Sequence, residues 1–121
     1  DYTTPEGQLI PNARLTRPAK AGRSYAYCSD TAYRPALIPL LQGVDLLYRE
    51  APFPRERAAR AAETGHSTAE QAAEIARASG VGRLLIGHYS ARYSDATPLL
   101  EEARALFPET TAADELMTLE V

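Results

Sequence analysis

Four side chains in this sequence are placed to do chemistry: Asp30, Glu50, His66 and His88. The chain has only two histidines, and both belong to this set. With Asp30 they form a possible site of two histidines and one carboxylate, the protein-ligand count of a catalytic zinc. The intervals between them carry no motif value, and an isolated loop histidine is ordinarily just that. His66 has a second reading. It precedes Ser67-Thr68, where a capped helix start would present unpaired N–H groups and positive partial charge to a phosphate. A histidine beside that phosphate could hand a proton to its leaving oxygen. Glu50 could hold His66 in one tautomer and favour its charged form.

What unites the four is their position relative to the elements that must carry them. Ser24–Cys28 (SYAYC) reads as a strand, and Asp30 follows it. Asp45–Tyr48 (DLLY) reads as a buried strand, with Glu50 just beyond. Arg83–Ile86 (RLLI) reads as a third, leading through Gly87 to His88. Loops past the carboxyl ends of strands are where sites gather in open α/β sheets. Ala36–Gln42 before Gly43 is expected to be a short helix, and Arg55–Thr64 an Arg- and Ala-rich helix stopped by Gly65. Ser67 and Glu70 read as a capping box for a helix over Thr68–Ser79, with Gly80 after it. Thr97–Leu106 is a further helix with Pro98 in its first turn, and Leu116–Val121 a final strand. The order β-α-β-α-α-β-α-β predicts a layered α/β sheet.

Length and composition bound the rest. The chain has 121 residues, a net charge of −3, and 45% hydrophobic residues, 22 of them alanine. One domain fits that length. Alanine buries little area, so the core is thin and is expected to be completed by more chain or another subunit. A chain starting at Asp1 is expected to be a piece of a longer protein. No apolar run suits a transmembrane helix and no signal peptide is visible. A lone Cys28 excludes a disulfide framework and fits a reducing cytoplasm. Weak acidity argues against a protein that coats nucleic acid generally. Residues 1–23, a loop or loosely paired hairpin, nevertheless hold a local run of Arg14, Arg17, Lys20 and Arg23 without an acid after Glu6. That run is either a solvated surface or a place to meet phosphate.

Several blocks resemble ribonuclease Z, the tRNA 3′-processing endonuclease family of the metallo-β-lactamase superfamily. YCSDT (27–31) is similar to its Ser-Gly-Asp-Thr motif, and LLYREAPF (46–53) to its Leu-Val-His-Glu-Ala-Thr-Phe segment. GHSTAEQAAEIA (65–76) follows its His-Ser-Thr motif, and LLIGHYSARY (84–93) its Leu-Leu-Leu-Thr-His-Phe-Ser-Pro-Arg-Tyr block. RPAKAGR (17–23) is similar to its Pro-x-Lys-x-Arg loop, and residues 99–121 to its last helix and strand. Ser29, Arg49 and Pro52 stand where the family pattern has Gly, His and Thr.

The resemblance implies the C-terminal half of an αββα sandwich, spanning 24–121 after the basic region 1–23. It implies Asp30 and His88 as ligands in a two-zinc site whose other ligands lie upstream of this chain. It makes His66 a proton donor rather than a ligand, with Glu50 as its orienting partner. Ser67, Thr68, Arg92 and Tyr93 would hold phosphates, and Lys20 and Arg23 would lie along the precursor tRNA. A homodimer is expected, and little activity from these residues without the preceding half. A superfamily phosphodiesterase or esterase for small substrates is the rival reading, and a non-enzymatic dimerisation or scaffold piece is another.

Overall fold

A computed structural model describes residues 1–121. Strands β1 (Tyr2–Thr3) and β2 (Leu9–Ile10) pair antiparallel, and one helical turn, α1 (Asn12–Leu15), follows. The main sheet has β3 (Tyr25–Cys28), β4 (Leu46–Glu50), β5 (Arg83–Gly87) and β6 (Thr110–Ala112), all parallel and adjacent in chain order. The connections hold α2 (Ala58–Thr64), α3 (Ala69–Ser79) and α4 (Thr97–Leu106). Parallel strands require crossovers of one hand. When spatial order also equals chain order, every crossover falls on the same face. The core lies on that face, where Leu47, Leu84 and Ile86 pack against Ala72, Ile75 and Ala76 of α3 and Leu99 and Ala103 of α4.

The opposite face has no helices. Tyr25 and Tyr27 are exposed there, and Tyr27 stacks on Tyr48 at 4.7 Å. The C-terminal tail crosses this face and encloses a cavity of about 280 Å³ with Tyr25, Leu46 and Leu85. Met117, Leu119 and Val121 line it at a spacing of two residues.

Four sequence expectations need correction. Leu116–Val121 is not a strand. Thr110–Ala112 takes the edge position beside β5 instead, and a turn from Asp114 to Met117, with Leu116 at φ 63°, redirects the chain across the sheet face. The tail keeps a strand-like alternation but lacks a ladder partner. Pro35–Leu41 is a 3-10 helix rather than an α-helix, with Pro39 inside it removing a backbone donor. The capping box is Thr68 with Gln71, one residue later than Ser67 with Glu70, because the Ser67 hydroxyl turns inward to the Thr31 carbonyl. Strand β4 runs on to Glu50, paired opposite Gly87, so Glu50 is the strand's last residue rather than a loop residue.

Candidate active site

Parallel register fixes the height at which the site forms. Arg49 lies beside Cys28 and Ile86, and Glu50 beside Gly87. Asp30 and His88 therefore emerge from neighbouring strand ends on either side of Glu50. Both adopt left-handed backbone, φ 50° and 58°. Such angles are costly for residues with a Cβ and mark positions where structure yields to function. The loops after β4 and β5 are tied by Ala51 N–H donating to the Gly87 carbonyl at 2.8 Å. Gly87 has no room for a side chain, since a Cβ would lie 2.5 Å from the Tyr48 hydroxyl.

Glu50 is the hub. Its side chain is wholly buried. Oε1 accepts the Thr31 N–H. Oε2 lies 2.6 Å from His66 Nδ1 and 3.5 Å from His88 Nδ1. A carboxylate only accepts, so His66 carries its proton on Nδ1 and leaves Nε2 for the cleft. His88 Nδ1 is 3.9 Å from Asp30 Oδ1, and the two imidazoles meet edge to face at 5.4 Å. Asp30 is 79% exposed and has no hydrogen-bonding partner as close as those of Glu50. One ligand atom from each of Asp30, His66 and His88 falls within 4.8 Å of the others. The chemistry of this donor set suits a divalent metal such as zinc. Asp30 and His88 alone fall short of the three protein ligands of a catalytic site. The fit is therefore that of a partial site, to be completed from outside the chain.

The phosphate reading of Ser67 and Thr68 does not survive the geometry. All four backbone N–H groups at the start of α3 are already taken. Thr68 N–H donates to Gln71 Oε1, Ala69 N–H to the Phe53 carbonyl, Glu70 N–H to Glu102 Oε1, and Gln71 N–H to Thr68 Oγ1. Ser67 and Thr68 are themselves buried. A helix terminus satisfied in this way has nothing left for an anion.

Arg92 is exposed and Tyr93 half-buried on the loop after His88, within reach of the same end of the sheet. Tyr89 fastens this loop, its hydroxyl lying 2.8 Å from the Ile86 carbonyl and 3.2 Å from that of Ala113. Burial pushes that phenol up to about 12. Lys20 and Arg23 are exposed. Arg23 contacts the Val121 carbonyl just before β3 begins, at the opposite end of the sheet from Asp30, so the structure does not bring it to the cluster.

Two contributors escaped the sequence reading. Thr31 links Glu50 through its N–H and Ser67 through its carbonyl. Arg49 is fully buried behind the site. A charged residue inside the apolar string LLYRE was the available signal for Arg49; nothing local marks Thr31.

Residues 13–89 match the beta-lactamase superfamily domain. Over all 121 residues the chain is 62% identical to a protein named ribonuclease Z from Parabacteroides distasonis and 59% identical to one from Porphyromonas gingivalis. It spans 40% of the length of each. Among solved structures, the metallo-beta-lactamase fold protein YhfI of Bacillus subtilis aligns with a TM-score of 0.63 at 27% identity, over 71% of this chain and 34% of that one. Human tRNase Z, short form, aligns with a TM-score of 0.55 at 30% identity, over 69% of this chain and 27% of that one. The strand-end carboxylates and imidazoles thus sit on a metallo-β-lactamase fold, and the chain belongs to the beta-lactamase superfamily domain family, with ribonuclease Z proteins among its relatives.

Proposed function

We propose that this chain is the C-terminal part of a zinc-dependent endoribonuclease that removes the 3′ trailer from tRNA precursors in the cytoplasm. The observation that carries this reading is the 2.6 Å contact of His66 Nδ1 with the buried Glu50, beside Asp30 and His88. It is supported by relatives named ribonuclease Z over the full chain. Asp30 and His88 would hold the metal together with ligands from a preceding segment. Zinc bound there would supply the Lewis acid that activates the attacking water and the scissile phosphate.

The chain's own residues do the rest. Glu50 fixes the His66 ring so that Nε2 faces the cleft; acting as the imidazolium, with a proton on each ring nitrogen, His66 gives its Nε2 proton to the departing 3′ oxygen and is left as the neutral Nδ1–H tautomer. Arg92 and Tyr93 hold backbone phosphates near the same strand end. Arg23, at the far end of the sheet, and Lys20, exposed in the segment before it, contact a more distant stretch of RNA. The helix-free sheet face, with Tyr25 and Tyr27 exposed, favours association of the isolated chain, and the full-length protein is proposed to be a homodimer.

The test compares the full-length protein with residues 1–121 alone. The full-length protein is expected to contain zinc and to cut a precursor tRNA, losing activity with chelator and regaining it with zinc. The isolated chain is expected to do neither. Robust zinc-dependent cleavage by the isolated chain would overturn the proposal, and so would a full-length protein that hydrolyses small phosphodiesters but ignores precursor tRNA.

A further inference from the structure

Arg49 is the largest wholly buried side chain in the molecule. Side chains alternate along a strand, so Arg49 joins Leu47 on the helix-covered face of β4 while Glu50 faces the cleft. Burial pushes the guanidinium pKa down, with Cys28 and Glu50 opposing that shift. Nε and Nη1 have no hydrogen-bond partner. A buried charge so poorly satisfied is a poor stabiliser, and an apolar residue of similar volume would usually serve the fold as well or better. Its presence needs another reason.

The hydrogen bond from Arg49 to Ser67 supplies it. Nη2 donates to Ser67 Oγ at 3.1 Å, and that hydroxyl donates to the Thr31 carbonyl at 2.6 Å. The Thr31 N–H in turn donates to Glu50, which holds His66. Arg49 and Glu50 are consecutive on β4, and His66 and Ser67 are consecutive before α3. Two neighbouring residues of one element therefore grip two neighbouring residues of another. Glu50 takes His66 on the cleft side, and Arg49 takes Ser67 on the core side. Beyond its ring contact, His66 is held by its N–H, which donates to the Ala61 carbonyl at 2.8 Å. The Arg49 contact adds a hold on the next side chain from the core side, and so limits how far the imidazole can shift against Glu50.

We propose that Arg49 is a positioning residue for His66, acting through the Ser67 hydroxyl; this rests on the role given to His66 above. The experiment uses the full-length protein and measures kcat and KM for precursor tRNA, thermal midpoint and zinc content. The variants are Arg49→Met, Ser67→Ala and His66→Ala, with the double variants. Arg49→Met and Ser67→Ala are each expected to lower kcat about tenfold or more, with KM and zinc content unchanged. Combined, they should be no slower than the worse of the two, as a shared pathway requires. On the His66→Ala background neither should lower the rate further, whereas damage to the fold would still do so. Ser67→Ala with kcat within twofold of wild type, beside a crippled His66→Ala, would overturn the inference alone. Further loss on the His66→Ala background would do the same. An undiminished His66→Ala would overturn the functional reading and this inference with it. If Arg49→Met does not fold, Ser67→Ala and its combination with His66→Ala still decide the matter.

Discussion

The two ends of the main sheet use similar residues to opposite effect. At the amino end, Asp45 stands just before β4 and takes both the N–H and the hydroxyl of Ser24, at 2.7 and 3.0 Å. That carboxylate is occupied by local structure and ties β3 to β4. At the carboxyl end, Asp30 stands on a left-handed backbone, almost fully exposed, with a single imidazole 3.9 Å away. Nothing in the fold satisfies it. At that same end Glu50 is buried yet holds two histidines and a peptide N–H. An aspartate next to a strand is thus no guide to function. What separates the two ends is whether the protein itself uses up the carboxylate's acceptor capacity. Residues left unsatisfied on a rigid, strained backbone are the ones arranged for a ligand.

That contrast can be broken experimentally. The largest effect is expected at the carboxyl end of the sheet. His66→Ala in the full-length protein should lower kcat for precursor tRNA by roughly 10²–10⁴, and a rate within threefold of wild type would remove His66 from the chemistry. Glu50→Gln keeps the shape but removes the carboxylate that orders both imidazoles. It should cost about 10–100-fold in activity or metal affinity, read from turnover and zinc titration together. Gly87→Ala drives a methyl into the Tyr48 ring and should destabilise by about 1–3 kcal/mol in urea unfolding. Tyr48→Ala should relieve much of that loss, and an unaltered Gly87→Ala midpoint would contradict the packing described.

The smallest effect belongs to the amino end. The Ser24 N–H and hydroxyl hold the Asp45 carboxyl below its ordinary 3.8. A folded-state value below the unfolded one adds stability above the unfolded value and loses it as pH falls through the lowered one. Asp45→Asn should therefore reduce the thermal midpoint slightly at neutral pH and lessen its fall between about pH 4 and the lowered value. Activity should be unchanged. A large loss of turnover in Asp45→Asn would erase the distinction between the two ends.

Much of this arrangement is written in local sequence. Short apolar runs announced β3, β4 and β5, and glycine stops marked the ends of α2 and α3, where Gly65 and Gly80 take φ 74° and 60°. Strand periodicity in Leu116–Val121 misled, because alternation shows which face a segment presents and not whether a neighbouring strand exists to pair with it. The capping box was misplaced by one residue for a similar reason. Ser67 and Thr68 are both favoured caps, serine slightly the better in isolation, and the choice fell to a carbonyl 36 residues away.

The sequence by itself determined which residues could do chemistry and that they lie at element ends, since strand, turn and cap signals act within a few residues. The tertiary structure decided what each one touches. Parallel pairing set Asp30, Glu50 and His88 side by side, and the packing around α3 brought Phe53 and Glu102 to two of the N–H groups at its start, the other two being closed locally by Thr68 and Gln71. It also buried Arg49 against Ser67. The contacts among Asp30, Glu50, His66 and His88 join residues 16 to 58 positions apart, and only the register of neighbouring strands and the packing of α3 on the sheet can choose among the partners such distances allow.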